Sequence, residues 1–295
     1  MKELYFNVAG HVFVLELNDQ TDTARNLHQY KPFQVAPAED VAFRLHITEE
    51  PMGPVSFQEE LRQEDEGQEI VAGHLATEEP YFEFWLGDRR CSVLLTSNDH
   101  RQGTVYVEDN WRFGVNNAIM VMYALATANK RTALFHASVV SYQDRAYMFL
   151  GQSGTGKSTH SSLWLKYIEG TELVNDDNPV VRINDMNDIR VYGSPWSGKT
   201  PCYRNISYPL GGIVKLSQAP YNKMRRLEGL KAYAAVVPSI SGKRWDPQIA
   251  EGLHETEELL ARLAPIWHLD CLPDEAAARL SCKNCTNESE STAKQ

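Results

Sequence analysis

The chain has 295 residues, a formal charge of −10, 42% hydrophobic residues and 23% charged residues. This composition is typical of a globular protein and excludes a disordered or fibrous chain. The acidic charge argues against a nucleic-acid partner, and no apolar run is long enough to cross a bilayer. Because the chain also starts without a leader-like apolar run and has few, scattered cysteines, we expect a cytoplasmic protein with no membrane partner.

The first 130 residues carry 21 acidic and 10 basic side chains and mostly show the alternating apolar pattern of strands. Within them, the acidic segment Gln58–Glu69 is expected to be helical or mobile instead. The apolar, Ala- and Met-rich run Val115–Ala128 predicts a buried helix of about four turns. We therefore expect a β-rich N-terminal region, residues 1–130, that ends in a helix and is a candidate for recruiting a substrate.

Strand and helix patterns alternate in the next part of the chain. Leu134–Val140 and Arg145–Leu150 are rich in β-forming residues, and the polar break between them is short enough for a hairpin. A glycine-rich loop, a helical pattern over Thr159–Ile168 and a short strand at Leu173–Val174 follow. This order predicts an α/β domain with a mixed sheet over residues 131–281.

Further downstream, the patterns predict a strand at Gly212–Leu216, helices at Leu227–Val236 and Pro247–Leu263, and a last strand at Ile266–Leu269. Residues 282–295 are polar and low in bulky apolar groups. We therefore expect a disordered tail there.

The segment Gly151–Ser158 matches the nucleotide-binding P-loop pattern G-x-x-x-x-G-K-[ST] at every fixed position. The glycines let backbone N–H groups turn towards phosphate oxygens at the positive end of the following helix. Lys157 is expected to reach the β- and γ-phosphates of ATP, and the Ser158 hydroxyl to bind its Mg²⁺. The residues predicted to bind the nucleotide are Gly151, Gln152, Ser153, Gly154, Thr155, Gly156, Lys157, Ser158 and Thr159.

An acidic pair, Asp176 and Asp177, directly follows the strand after the P-loop helix. A magnesium-bound triphosphate needs a carboxylate near the metal, and the second carboxylate is a candidate base towards an acceptor hydroxyl. Both reach one site only if the backbone bends, which Asn178–Pro179 favours. His136, on the first hairpin strand, would approach the phosphates if the hairpin forms; an ordinary packed or surface histidine is the alternative.

Residues 199–244 form a basic segment, with nine basic side chains and one acidic side chain. Its place after the P-loop favours binding of an anion, and a solvated cationic surface is the alternative. Lys199 and Arg204 are the leading candidates to neutralise the charge on a transferred phosphoryl group.

Three segments taken together resemble the catalytic core of the HPr kinase/phosphorylase family, which shares its nucleotide fold with the phosphoenolpyruvate carboxykinases. They are Phe135–Val140, Gly151–Thr159 and Leu173–Asp177. The resemblance implies a P-loop domain of this type, with His136 facing the metal or the phosphates. It also implies that the acidic pair supplies a metal ligand, assigned to the first carboxylate, and a catalytic base, assigned to the second.

The chain departs from that family at two places. The family has an Arg-Gly-Leu-Gly-type signature associated with the phosphorylase reaction, whereas this chain has Pro195–Pro201. Residues 1–130 also differ from the family's usual N-terminal domain. The first departure argues against phosphorolysis, and the second argues against HPr as the substrate.

These observations predict an ATP- and Mg²⁺-dependent phosphotransferase that moves the γ-phosphoryl group to a hydroxyl of a protein, peptide or small molecule. The alternatives are an ATP-binding regulatory module without transfer activity and a carboxykinase-like enzyme that acts on a carboxylic acid. The sequence leaves open the acceptor, the choice between ATP and GTP, and the oligomeric state, a homo-oligomer included.

Overall fold

The protein has a mixed α/β fold, and the computed structural model describes residues 1–18, 21, 23–65, 67–198 and 200–292. Across these segments no helix combines the length and the apolar character that a membrane span needs. The chain divides into two compact units after Thr127, whereas the sequence placed the division after residue 130.

The first unit, Met1–Thr127, is built mainly from strands. Its elements are β1 (Lys2–Val8), β2 (His11–Leu17), α1 (Thr23–Asn26), β3 (Gln34–Val35), β4 (Phe43–Thr48), β5 (Phe57–Asp65), β6 (Gln68–Leu75), β7 (Pro80–Leu86), β8 (Arg89–Thr96), β9 (Gln102–Val107) and α2 (Trp111–Thr127).

The strands of this unit form one sheet in the order β3-β1-β2-β4-β9-β8-β7-β6-β5. The sheet is antiparallel except where β4 runs parallel to β2 and β9. Helix α2 packs on β4, β7, β8 and β9, and its Tyr123 hydroxyl donates to the Val8 carbonyl oxygen at 3.0 Å. The apolar run correctly predicted this helix.

The expectation of a helical or mobile segment at Gln58–Glu69 is wrong. Strands β5 and β6 pair there as an antiparallel hairpin. Nearly all of β5 is exposed, so its charged residues keep their hydration while the backbone pairs with β6. A charged edge strand therefore looks like a polar helix or loop in the sequence.

The second unit, Ala128–Gln295, contains the P-loop sequence. Its elements are β10 (Thr132–Leu134), β11 (Ala137–Tyr142), β12 (Arg145–Leu150), α3 (Lys157–Tyr167), β13 (Glu172–Asp177), β14 (Val180–Ile183), β15 (Ile189–Tyr192), β16 (Ser207–Gln218), β17 (Lys223–Leu227), α4 (Leu230–Val236), α5 (Pro247–Leu263), β18 (Ile266–Cys271) and α6 (Glu275–Thr292).

Strand β12 lies between its hairpin partner β11 and the parallel strand β16. The hairpin turns through Gln143 and Asp144, which both have positive φ, as in a two-residue type I′ turn. Strand β13 pairs with the other edge of β11, and β18 continues the sheet beyond β16, followed by β17. The first residues of β16 pair instead with β15, which leads to β14 and β10. The predicted mixed sheet is confirmed.

Helices α3 and α6 cover one face of this sheet. Trp164 of α3 is fully buried, and its ring centroid lies 5.1 Å from that of Tyr147 and 5.6 Å from that of Phe149, both on β12. Cys285 of α6 joins the same core. The sheet and the two helices therefore hold the end of β12 and the start of α3 in a packed framework.

The predicted disordered tail is wrong for residues 282–286, which continue α6. Cys285 is fully buried, and a β-carbon on Gly212 of β16 would lie 3.4 Å from its sulfur. Small residues make this contact, since Ala277 and Ala278 are also fully buried. The segment lacks bulky apolar residues because the helix lies close to the sheet.

Ser281 fixes α6 to α3 by hydrogen bonds. Its hydroxyl donates to the Ala278 carbonyl oxygen at 3.0 Å, so its lone pairs are free to accept. It accepts from Trp164 Nε1 at 2.8 Å and lies 2.9 Å from His160 Nε2. The His160 ring, Trp164 and Ser281 thus form one buried polar contact between α3 and α6.

Candidate functional site

The sheet register brings the P-loop and the acidic pair to the same edge. Leu150, the last residue of β12, pairs with Ala137 of β11, and Ala137 pairs in turn with Asp177, the last residue of β13. On the other side, Leu150 pairs with Lys215 of β16. Since neighbouring strands lie about 4.8 Å apart, Leu150 and Asp177 are separated by about 10 Å.

The loop between β12 and α3 adopts a conformation that depends on its glycines. Gly154 and Gly156 have φ values of 76° and 103°, which disfavour any residue with a β-carbon. A β-carbon on Gly151 would lie 2.9 Å from the Thr155 side chain. Because α3 begins at Lys157, the N–H groups of its first turn have no intrahelical partners and are available to an anion.

Lys157 is held inside this loop. Its side chain is buried, and Nζ donates to the carbonyl oxygens of Gly151 at 3.0 Å and Gln152 at 3.3 Å. The ammonium group is therefore fixed against the loop, at the start of the helix that follows it.

The two carboxylates of the acidic pair have different surroundings. Asp176 is 5% exposed, and among the described residues no hydrogen bond or ion pair reaches its carboxylate. It pairs with Ser138, whose Oγ lies 2.5 Å from Ser161 Oγ of α3, so Asp176 lies on the face that α3 covers. A carboxylate that lies at a strand end beside the loop is a candidate ligand for a cation.

Asp177 is more open, with 36% of its side chain exposed. Its Oδ1 lies 3.9 Å from His136 Nε2, and its Oδ2 accepts a hydrogen bond from Asn178 Nδ2 at 2.7 Å. The backbone N–H of His136 donates to the Ser239 carbonyl oxygen at 2.7 Å. The structure therefore brings His136 and Asp177 together at the edge where β12 ends.

The loop after β15 holds the end of β13 in place. Asn175 Nδ2 donates to Ser194 Oγ and to the Trp196 carbonyl oxygen, both at 3.1 Å. The backbone N–H of Gly198 donates to the Asp176 carbonyl oxygen at 2.7 Å, and a β-carbon at this glycine would lie 3.3 Å from Asp177 Cβ. A side chain at position 198 would therefore crowd the end of β13.

Asp176 and Ser158 carry oxygen donors, the ligand type that Mg²⁺ prefers. Among the described residues, no group of three or more His, Cys, Asp and Glu side chains converges on a metal site. Mg²⁺ is commonly bound by one or two protein oxygens, with water and phosphate oxygens as the remaining ligands. The buried Asp176 carboxylate and the Ser158 hydroxyl, at the first turn of α3, fit that pattern.

An open cavity of about 480 Å³ borders the loop; we call it the loop cavity. Its walls include the loop segment Gly151–Thr155, the end of β16 over Lys215–Gln218, Ala235 of α4, and Pro238 with Ser239 in a 3₁₀ turn. Of these β16 and 3₁₀ residues, only Lys215 was expected near an anion, as a member of the basic segment. Only the strand register and the chain path reveal the others.

Gln218 is the clearest of these missed residues. It ends β16, and its Nε2 donates to the carbonyl oxygen of Gly154 at 3.2 Å and towards that of Thr155 at 3.5 Å. The tip of the loop is therefore fastened to the neighbouring strand. A glutamine at a strand end has no sequence signal of its own.

The predicted cations are distributed differently from expectation. Arg204 donates to the Leu173 carbonyl oxygen and to the Glu172 carboxylate, both at 2.7 Å. These residues start β13, and Asp177 ends it more than 10 Å away, so Arg204 is not brought to the acidic pair. Lys199 lies outside the described residues.

Other members of the basic segment are also paired. Arg225 contacts Asp270 at 2.7 Å, and Arg244 contacts the fully buried Glu257 at 2.6 Å. Three of the nine basic residues of the segment, Arg204, Arg225 and Arg244, therefore pair with carboxylates. Lys215 is the basic residue of the segment that lines the loop cavity in the described part of the chain.

Comparisons with known proteins find no matching family but do find distant structural similarity. No family model matches the chain, and no curated protein matches it. Among solved structures, the chain is similar to the HPr(Ser) kinase/phosphatase from Coxiella burnetii, with a TM-score of 0.32 and 10% sequence identity. The match covers 55% of this chain and 99% of that chain. The likeness is distant and partial.

Proposed function

We propose that this protein is an HPr-kinase-like, ATP- and Mg²⁺-dependent phosphotransferase that moves the γ-phosphoryl group to a hydroxyl. The observation that carries the proposal is the shared edge at which β12 opens into the P-loop while β13 ends in the acidic pair. We further propose that the second unit has the P-loop architecture of that family, that the protein works in the cytoplasm, and that its acceptor is a protein, peptide or small molecule.

Binding of the triphosphate is assigned to the loop. Its glycine-rich backbone and the first-turn N–H groups of α3 bind phosphate oxygens, and Lys157 moves its ammonium group from the carbonyl oxygens of Gly151 and Gln152 to the phosphates. Asp176 and Ser158 hold Mg²⁺. When bound, the ion supplies positive charge against the β- and γ-phosphate oxygens.

The base is assigned to Asp177. Its exposed carboxylate accepts the proton of the acceptor hydroxyl as the new O–P bond forms and the bond to the ADP oxygen breaks. His136, 3.9 Å from this carboxylate, would add positive charge beside it when protonated. Arg204 is not included in this assignment because Glu172 and Leu173 engage it at the far end of β13.

To test this, the full chain or its Asp177→Asn variant is incubated with γ-labelled ATP and a host extract. The measurement is the labelling of components of the extract. We expect labelled acceptor with the unmodified chain, loss of labelling with Asp177→Asn, and unchanged ATP affinity, because the base contributes to transfer rather than to binding. Asp144→Asn, in the exposed hairpin turn, is the matched control. Tight ATP binding without any labelled acceptor would contradict the kinase assignment and favour a nucleotide-sensing module.

A further inference from the structure

A buried pair of serine hydroxyl groups joins strand β11 to the P-loop helix α3. Ser138 of β11 and Ser161 of α3 are each 1% exposed, and their Oγ atoms lie 2.5 Å apart. This distance is at the short end of the range for hydrogen bonds between hydroxyl groups, and it is about 1 Å shorter than the closest packing of two carbon atoms. Two methyl groups in place of the oxygen atoms could not approach each other as closely.

Ser138 is the middle residue of a row of three that faces α3. It pairs with Phe149 of β12 on one side and with Asp176 of β13 on the other. The Phe149 ring contacts the His160 ring of α3 edge-on, with the ring centroids 4.7 Å apart. The row therefore packs against the helix through an aromatic contact at Phe149 and through a hydrogen bond at Ser138. The position of Asp176 relative to α3 depends on the contact beside it.

The other end of the hydrogen bond lies one turn into α3. Ser161 follows Ser158 by three residues and Lys157 by four, spacings that place side chains on neighbouring parts of a helix surface. Lys157 and Ser161 are both buried. In the proposed function, Ser158 and Asp176 hold Mg²⁺. The hydroxyl pair thus directly connects the helix that carries one metal ligand with the row that carries the other.

We propose, on the basis of the proposed function, that Ser138 and Ser161 set the separation between the two protein ligands of Mg²⁺. The ion demands near-ideal octahedral geometry, with ligands at about 2.0–2.1 Å, so a small displacement of either ligand weakens its binding. Both serines are positioning residues, which act through Ser158 and Asp176. Loss of such a supporting contact typically lowers metal affinity roughly 10- to 100-fold.

The proposal is tested by calorimetry of ATP binding to the full chain with Mg²⁺, with Ca²⁺ and with EDTA. The ratio of the ATP affinities with and without the metal, which we call the metal factor, measures the contribution of the metal ligands. The variants are Ser138→Ala and Ser161→Ala, and Ser141→Ala is the matched control. Ser141 is 5% exposed on the same strand, and its hydroxyl donates to the carbonyl oxygen of Glu172, at the far end of β13, at 3.4 Å.

We expect Mg²⁺ to tighten ATP binding by the same metal factor in the unmodified chain and in Ser141→Ala. In Ser138→Ala and Ser161→Ala this factor should fall roughly tenfold or more, while ATP affinity in EDTA stays the same. The metal factor for Ca²⁺ should fall less, because Ca²⁺ accepts flexible geometry.

Two results would refute the positioning role and leave the proposed function intact. One is a Mg²⁺ metal factor in both variants equal to that of the unmodified chain, and the other is an equal loss in the Ser141→Ala control. If the unmodified chain did not bind ATP, or if Mg²⁺ did not tighten that binding, the proposed function itself would fail.

A double variant, Ser138→Ala with Ser161→Ala, separates positioning from folding. Each single variant leaves one buried hydroxyl without its partner, which is destabilising, whereas the double variant leaves none. We therefore expect its urea midpoint to be higher than those of the single variants, with the Mg²⁺ metal factor still reduced roughly tenfold or more. Recovery of the metal factor in the double variant would overturn the proposal, because the hydroxyl groups would then act only on folding. This variant also decides the matter if a single variant does not fold.

Discussion

Acidification is expected to destabilise the packing of α3 through His160. This side chain is 2% exposed, its ring lies edge-on to Phe149 at 4.7 Å, and its Nε2 is 2.9 Å from Ser281 Oγ. Burial lowers the pKa of the His160 imidazole to about 4 from its ordinary value of 6.5. The folded protein therefore keeps this ring neutral at a pH where the unfolded chain protonates it.

The sign and size of the change in the free energy of unfolding follow from the two pKa values of His160. Between about pH 6.5 and pH 4 the unfolded state binds the extra proton, so the free energy of unfolding falls as the pH falls. The loss is negligible at pH 7.5, about 2 kcal/mol at pH 5, and about 3 kcal/mol once the pH is below 4. A loss of 2 kcal/mol is a large part of the stability of an ordinary domain.

The assay is urea unfolding of the full chain at pH 7.5 and pH 5.0, compared with His160→Gln. Glutamine places an amide N–H near the position of Nε2 and does not titrate, so this variant should lose about 2 kcal/mol less on acidification. Ser162→Ala, a non-titrating change at an exposed position of α3, is the control and should keep the pH dependence of the unmodified chain. Identical pH dependence of the unmodified chain and His160→Gln would refute the reasoning.

Two further predictions concern the same unit. Ser281→Ala removes the acceptor of Trp164 Nε1 and His160 Nε2, so we expect a loss of about 2–4 kcal/mol in urea unfolding, whereas Ser162→Ala, at an exposed position of α3, should cost less than about 1 kcal/mol. Gly198→Val places a β-carbon 3.0 Å from the Asp176 carbonyl oxygen. We expect this variant to transfer phosphoryl groups roughly 10- to 100-fold more slowly at unchanged thermal stability. Activity equal to that of the unmodified chain would contradict the role of this contact.

The sequence predicted those parts of the site that depend on a local pattern. The glycine spacing of the P-loop requires a strand before it and a helix after it, and the structure has β12 and α3 there. The carboxylates were expected on the following strand, which is β13. The insertion of β11 between β12 and β13 depends on pairing between distant segments. The roles assigned to these residues stay predictions.

Other features could not be read from residue patterns. The polar strand β5 was mistaken because its exposed residues are ordered by backbone pairing with β6, which composition does not show. The helical residues 282–286 were mistaken because they pack through small residues. Arg204 was assigned to the phosphates from its charge and its place after the P-loop, whereas in the structure Glu172 engages it. Gln218 was missed because its contact with the loop requires the strand end and the loop tip to meet in space.

The attachment of α3 to Ser281 has a consequence for synthesis of the protein on the ribosome. The hydrogen-bond acceptor for His160 Nε2 lies 121 residues later in the chain, and the strands β13, β16 and β18 of the same sheet are also translated after α3. When the P-loop has just left the ribosome, Trp164 Nε1 and the His160 ring still lack Ser281, their hydrogen-bond partner in the folded protein. The P-loop helix reaches its final packing only when the last helix leaves the exit tunnel.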